Sequence, residues 1–144
     1  MDSWLLPLLQ GPWALLALFG SAFLSATILP GNSELALATL VHWVPAQLWP
    51  GVAVATFGNT LGSLTSYWLG GRLAAHPDGR ATVWLRRWGS PVLLLSWLPL
   101  IGDGFCLAAG WARLPIIHCA AYIFVGKLLR YLLIVAPFFY LGAI

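Results

Sequence analysis

Apolar positions run almost unbroken along this 144-residue chain, and its few polar positions mark where elements stop. Between Asp2 and Arg72 the only acidic or basic side chains are Glu34 and His42. Ser3 to Leu29 is apolar, with Pro7, Gly11 and Pro12 breaking its start, so a continuous helix is predicted from about Trp13 to Ile28. At 1.5 Å per residue it spans roughly 24 Å, short of the ~30 Å hydrocarbon core of a bilayer. Leu29-Pro30-Gly31-Asn32-Ser33 then reads as a stop and a restart. Pro30 disfavours helical geometry at Leu29, and Gly31 permits a sharp bend. Asn32 or Ser33 can cap a new helix whose first turn carries Glu34, where the helix dipole favours an acid. That restart, Ser33 to about Val44, is shorter still. Two half-length helices joined by a Pro-Gly turn predict a re-entrant hairpin, its tip enclosed by protein or water.

Pro45 to Pro50 is expected to be a loop. Gly51 to Gly71 then gives 21 uncharged residues, a spanning length. Gly58, Gly62 and Ser66 recur every fourth residue, a small-residue stripe that permits close helix approach in lipid. Asn59, Thr60, Ser63 and Thr65 make the same helix polar enough to face protein or water. Arg72 to Arg87 is the one hydrophilic stretch. His76-Pro77-Asp78-Gly79 signals a turn, and Thr82 to Trp88 suits a short interfacial helix with Arg86 and Arg87 outward. Ser90 to Gly102 is too short to span, and Gly104 to Ala112 is shorter again. Leu114 to Ile144 reads as one long helix with Lys127 and Arg130 near its middle, three apart and therefore on one face.

The second half repeats the device of the first. Leu98-Pro99-Leu100-Ile101-Gly102-Asp103 places an acid after a Leu-Pro, 69 positions on from Leu29-Pro30. Gly126-Lys127-Leu128-Leu129-Arg130 follows Gly58-Asn59-Thr60-Leu61-Gly62 at an offset of 68. Paired, interrupted apolar segments in matching positions point to a transporter-like site near the bilayer midplane. The expected fold is a single all-α integral membrane domain, residues 1–144. It comprises two re-entrant helical hairpins with flanking transmembrane helices, as inverted repeats of about 13–71 and 82–144 joined by a basic loop, 72–88.

Composition agrees with that class. The chain is 60% hydrophobic and 8% charged, with a mean hydropathy of +0.87, whereas soluble proteins carry roughly a quarter charged residues. Asp2 stands where a cleavable signal would have a basic region, so none is expected. Trp4, Trp13, Trp43, Trp49, Trp84 and Trp88 lie near the ends of apolar runs, as interfacial anchors do. Cys106 and Cys119 lack metal or redox spacing and are expected to be free and buried. No nucleotide loop, metal cluster or nucleophile–base pair is present, and His42, His76 and His118 are scattered. The expectation is therefore no enzyme, no cofactor, no metal and no nucleic-acid partner.

An ionisable group within a membrane is costly and marks function by default. Glu34 and Asp103 are accordingly the candidate transport or proton-coupling groups, and Lys127 and Arg130 their ion-pair partners or a substrate anion's. Two acids at low dielectric do not both ionise easily, so proton exchange is expected at the pair. The hairpin tips comprise Pro30, Gly31, Asn32 and Ser33 in one half and Ser96, Pro99 and Gly102 in the other. A structural membrane protein, with the four charges locked as buried ion pairs, is the alternative.

The stretches Phe23–Glu34, Gly58–Thr65, Leu69–Arg72, Ser96–Asp103, Ala109–Arg113 and Gly126–Tyr131 together resemble small bacterial inner-membrane proteins of the YqaA type. These belong to the DedA superfamily, whose core is also called the VTT or SNARE-associated Golgi domain. The resemblance spans about residues 18–135. It implies opposed re-entrant hairpins and a flippase or scramblase of polyprenyl phosphate or phospholipid, coupled in several relatives to protons. Glu34 matches the family's acid after the first Pro-Gly, and Arg72 its Gly-Arg after the small-residue helix. Where better-understood relatives carry two arginines flanking a Pro, this chain has Ser96 and Gly102. Lys127, Arg130 and Arg113 are left to supply the charge.

Arg72, Arg80, Arg86 and Arg87, four of the seven basic residues, lie between 72 and 88, so the positive-inside rule makes that segment cytoplasmic. With two re-entrant hairpins, both termini then face the periplasm. Cysteines placed at Asp78 and at the C-terminus are expected to label from opposite sides; labelling from one side contradicts the topology.

Overall fold

The computed structural model describes residues 5–27, 32–73, 79–98 and 101–141, and among these every regular element is helical. A short α1 (Leu5–Gln10) leads into α2 (Pro12–Thr27), with Pro12 at the first helical position, where no N–H is needed. Next come α3 (Asn32–Trp43), a 3₁₀ turn (Pro45–Gln47), the 25-residue α4 (Leu48–Arg72) and α5 (Arg80–Trp88). A 3₁₀ segment (Ser90–Trp97), α6 (Ile101–Trp111) and the 25-residue α7 (Ile116–Tyr140) complete the chain. Only α7 is both long and apolar enough, among the described residues, to pass as a membrane span on hydropathy. Its equal in length, α4, is diluted by the buried Thr56, Asn59, Thr60 and Ser63.

Several sequence expectations need correction. The expected loop over 45–50 is shorter, because Pro50 fits inside the first turn of α4, where its missing N–H breaks no bond. The apolar run 90–102 does not form one element. Leu98, which precedes Pro99, takes an extended backbone (ψ 132°) as a pre-proline residue prefers, and Asp103 falls in the first turn of α6. The expected long helix 114–144 begins only after Pro115. Pro30, Gly31, Pro99 and the turn at His76-Pro77-Asp78 lie outside the described residues.

Helix α4 sits at the centre, packed on α2, α6 and α7. Two apolar clusters flank its polar middle. One joins Leu18, Ala22, Leu37, Val41, Val52, Ala55 and Val135. The other joins Leu85, Leu93, Phe105, Ala109, Cys119 and Ile123. Both cysteines are free and buried. The surface is the reverse of a soluble protein's: Trp13, Trp49 and Trp88 are 69%, 63% and 64% exposed, as lipid-facing or interfacial side chains are.

Close approach requires glycine at a few positions. A Cβ on Gly62 would sit 2.5 Å from Phe23 O and 2.7 Å from the Ala26 Cβ, so α4 meets α2 nearly backbone to backbone. Ser66 continues the stripe, its Oγ donating to Ala26 O at 3.5 Å. On α7, a Cβ on Gly126 would lie 2.5 Å from Ser96 Oγ and 2.8 Å from Leu94 O. The narrow 3₁₀ segment is thus pressed against α7. Gly104, by contrast, has open space around it, and a methyl added there would meet nothing within 4 Å. Gly62→Leu is therefore expected to destabilise by at least the ~1–3 kcal/mol of overpacking. Gly104→Ala should be neutral or stabilise by up to ~1 kcal/mol through helix propensity. Unfolding in detergent compares the two; equal effects contradict the packing described.

Candidate functional site

Lys127 and Arg130 lie near the middle of α7, 0% and 7% exposed. They do not reach the ends of the helix. Each is met by an acid delivered from the first turn of a shorter helix. Asp103, from α6, takes Lys127 Nζ at 2.8 Å on its Oδ1. Glu34, from α3, takes the Arg130 guanidinium on its Oε1. Both carboxylates also sit where the helix N-terminus favours negative charge. Ser63 of α4 donates to Asp103 Oδ1 at 3.4 Å, binding a third helix to that pair.

A buried tyrosine completes the polar layer. Tyr131 is fully enclosed, and its hydroxyl lies 2.8 Å from Ser33 Oγ and 2.9 Å from Asn59 Nδ2. With Asn59 donating into its oxygen, Tyr131 is free to give its own proton to Ser33. One hydroxyl therefore ties α7 to α3 and α4. Asn59 Oδ1 and Thr60 Oγ1 are buried beside this layer without a hydrogen-bond partner among the described residues. Sequence reasoning marked Asn59 and Ser63 only as polar and did not single out Tyr131. The available signal was spacing: Asn59 and Ser63 share one face of α4, and Lys127 and Tyr131 one face of α7.

The remaining candidates divide. Ser33 and Ser96 are buried at the layer's edge, with Ser96 Oγ donating to Ile123 O at 3.4 Å. A Cβ on Gly102 would lie 2.6 Å from Ser96 O. Gly102 and Ser96 are thus in direct backbone contact. Arg72 stands at the end of α4, its guanidinium 4.0 Å from the Trp68 ring centroid. Arg113, with φ 53°, is exposed in the α6–α7 connection. Neither joins the central layer. Among the described residues no cluster of His, Cys, Asp and Glu suits a metal.

The Arg130–Glu34 pair borders an open pocket of about 280 Å³, lined also by Trp97, Leu133 and Ile134. Leu133 is 62% exposed on the outer face of α7. A charged pair thus opens sideways onto apolar surface.

The chain is 43% identical over 127 residues to "Inner membrane protein YqaA" of Escherichia coli strain K12 and to the protein so named in Shigella flexneri, covering 85% of this chain and 89% of each relative. It is 44% identical over 128 residues to an uncharacterized protein of Haemophilus influenzae, covering 79% of this chain and 80% of that protein. No protein-family model matches the chain, and no solved structure matches it significantly.

Breaking one side of a buried pair leaves an uncompensated charge, at a cost of roughly 3–5 kcal/mol. Asp103→Asn should therefore destabilise strongly, and adding Lys127→Met should restore most of the loss. Tyr131→Phe removes two hydrogen bonds without a cavity, for about 1–3 kcal/mol. Melting in detergent reads all three, and additivity of Asp103→Asn with Lys127→Met contradicts the pairing.

Proposed function

The chain belongs to the family of YqaA-type bacterial inner-membrane proteins, and on that premise we propose that it moves a polar-headed lipid across that membrane, exchanging the lipid's phosphate for Glu34 on Arg130. The observation that carries the reading is the pocket at Arg130 and Glu34, with a charged end and apolar walls of Trp97, Leu133 and Ile134. A guanidinium binds carboxylate and phosphate with the same planar fork, so one can replace the other. A proton taken up by Glu34 weakens its hold on Arg130 and favours the exchange; its release on departure of the lipid links transport to protons. The lipid is moved without chemical change, and its tail stays against the exposed face of α7. A polyprenyl phosphate or a phospholipid fits this chemistry, in keeping with the motif likeness to the DedA superfamily.

We read the topology in the same way. α2 and α3, of 16 and 12 residues, and the 3₁₀ segment and α6, of 8 and 11, are each too short to cross, since a crossing helix needs about 20. α4 and α7, of 25 residues each, are roughly 37 Å long. Two broken pairs entering from opposite sides, with α4 and α7 crossing, bring both acids to the middle of α7. The segment 72–88 is then the cytoplasmic connection.

A structural lock is supported at the other pair. Lys127 is wholly enclosed, and Asp103 is held by both Lys127 and Ser63. We assign Lys127–Asp103 to holding the helices and Arg130–Glu34 to exchange. Proteoliposomes with fluorescent polyprenyl phosphate, phosphatidylglycerol or phosphatidylcholine test this assignment. Arg130→Gln is expected to lower movement of a phosphate-bearing lipid by roughly tenfold to a hundredfold, the worth of a charge-assisted hydrogen bond. Arg130→Lys should fall between, lacking the fork. Full activity of folded Arg130→Gln contradicts the proposal.

A further inference from the structure

We propose that α5 and the 3₁₀ segment after it form a binding site for one anionic phospholipid, separate from the ion pairs on α7. The groove between them holds about 580 Å³ and is lined by Trp84, Trp88, Pro91, Val92, Leu94 and Leu95. Ligand pockets run to roughly 300–1,000 Å³. Leu85 and Thr82 are buried at 0% and 1% exposure, so that face of α5 is packed against the bundle. Gly89, at φ 74°, ends α5 and turns the chain directly into Ser90-Pro91.

Charge lies along one rim. Arg80, Trp84, Arg87 and Trp88 fall at i, i+4, i+7 and i+8, one stripe of the helix. The Arg87 guanidinium lies 5.4 Å from the Trp88 ring centroid, which holds it beside the groove. Arg80, Arg86 and Arg87 are exposed and have no ion-pair partner among the described residues. An apolar trough with exposed arginines on its edge matches an acyl chain continuous with an anionic headgroup. A zwitterionic lipid satisfies the trough but not the arginines. Trp84 and Trp88, 51% and 64% exposed, suit the headgroup level where such a lipid lies.

Native mass spectrometry of the detergent-purified chain, titrated with dioleoyl phosphatidylglycerol or dioleoyl phosphatidylcholine, tests the site. Each arginine near a charged headgroup contributes roughly fivefold, so one phosphatidylglycerol per chain should be retained about tenfold or more better than phosphatidylcholine. Arg80→Gln with Arg87→Gln should abolish that preference without lowering the melting temperature. Trp88→Ala should weaken both lipids, and Arg130→Gln should leave the preference intact. Equal retention of the two lipids by the wild-type chain overturns the proposal. So does a preference that survives the double arginine variant, one lost only with Arg130→Gln, or displacement by inorganic phosphate, which marks an anion site with no use for the groove. Because Arg130→Gln separates the two sites, failure here leaves the exchange at Arg130 standing, and failure there leaves this site standing.

Discussion

Two cations buried in the middle of α7 set the conditions that the rest of the structure meets. A lysine or arginine at mid-membrane costs at least ~2.5 kcal/mol on insertion scales unless paired or hydrated. Lys127 and Arg130 are three residues apart and both enclosed, so each needs a separate acid arriving at the same level. Helices that start at that level supply it, because an N-terminal turn both positions and stabilises a carboxylate. Glu34 in α3 and Asp103 in α6 are placed in this way. The helix starts at Asn32 and Ile101 thus set both acids against the cations of α7.

Forming such a layer demands close helices. Lipid tails supply no hydrophobic force to draw helices together, so association rests on packing and interhelical hydrogen bonds. The small-residue face of α4 brings α2 in at Gly58 and Gly62, while its polar face presents Asn59 to Tyr131 and Ser63 to Asp103. Packing and polar contact thus come from neighbouring faces of one helix, about 100° apart. The two apolar clusters meet at this layer, with Ala55 and Leu64 of α4 on either side of its polar run.

Much of this was legible in the sequence because charge is so scarce. Glu34, Asp103, Lys127 and Arg130 stand out in apolar surroundings, and the Leu-Pro breaks locate the helix starts beside the acids. Helix ends near 12, 27, 43 and 88 follow from proline, glycine and tryptophan placement. Which cation takes which acid was not legible, since that depends on the rotation of α7 relative to α3 and α6. Tyr131 was hidden for a similar reason: an aromatic in an apolar helix looks like core, and only the fold brings Ser33 and Asn59 to its hydroxyl. Nor does Ser90–Trp97 announce a 3₁₀ conformation, which comes with its contact at Gly126 on α7. Ser96 and Gly102 show the limit of reading by resemblance, for here those positions pack on one another.

The division of labour between the two ion pairs is the centre of this account. Double-mutant cycles on Glu34/Arg130 and on Asp103/Lys127, read as unfolding in detergent with and without added polyprenyl phosphate, test it directly. The expected result is a coupling between Glu34 and Arg130 that shrinks when the lipid is present, while that between Asp103 and Lys127 is unchanged. Two couplings that both persist, or that both collapse, would contradict it.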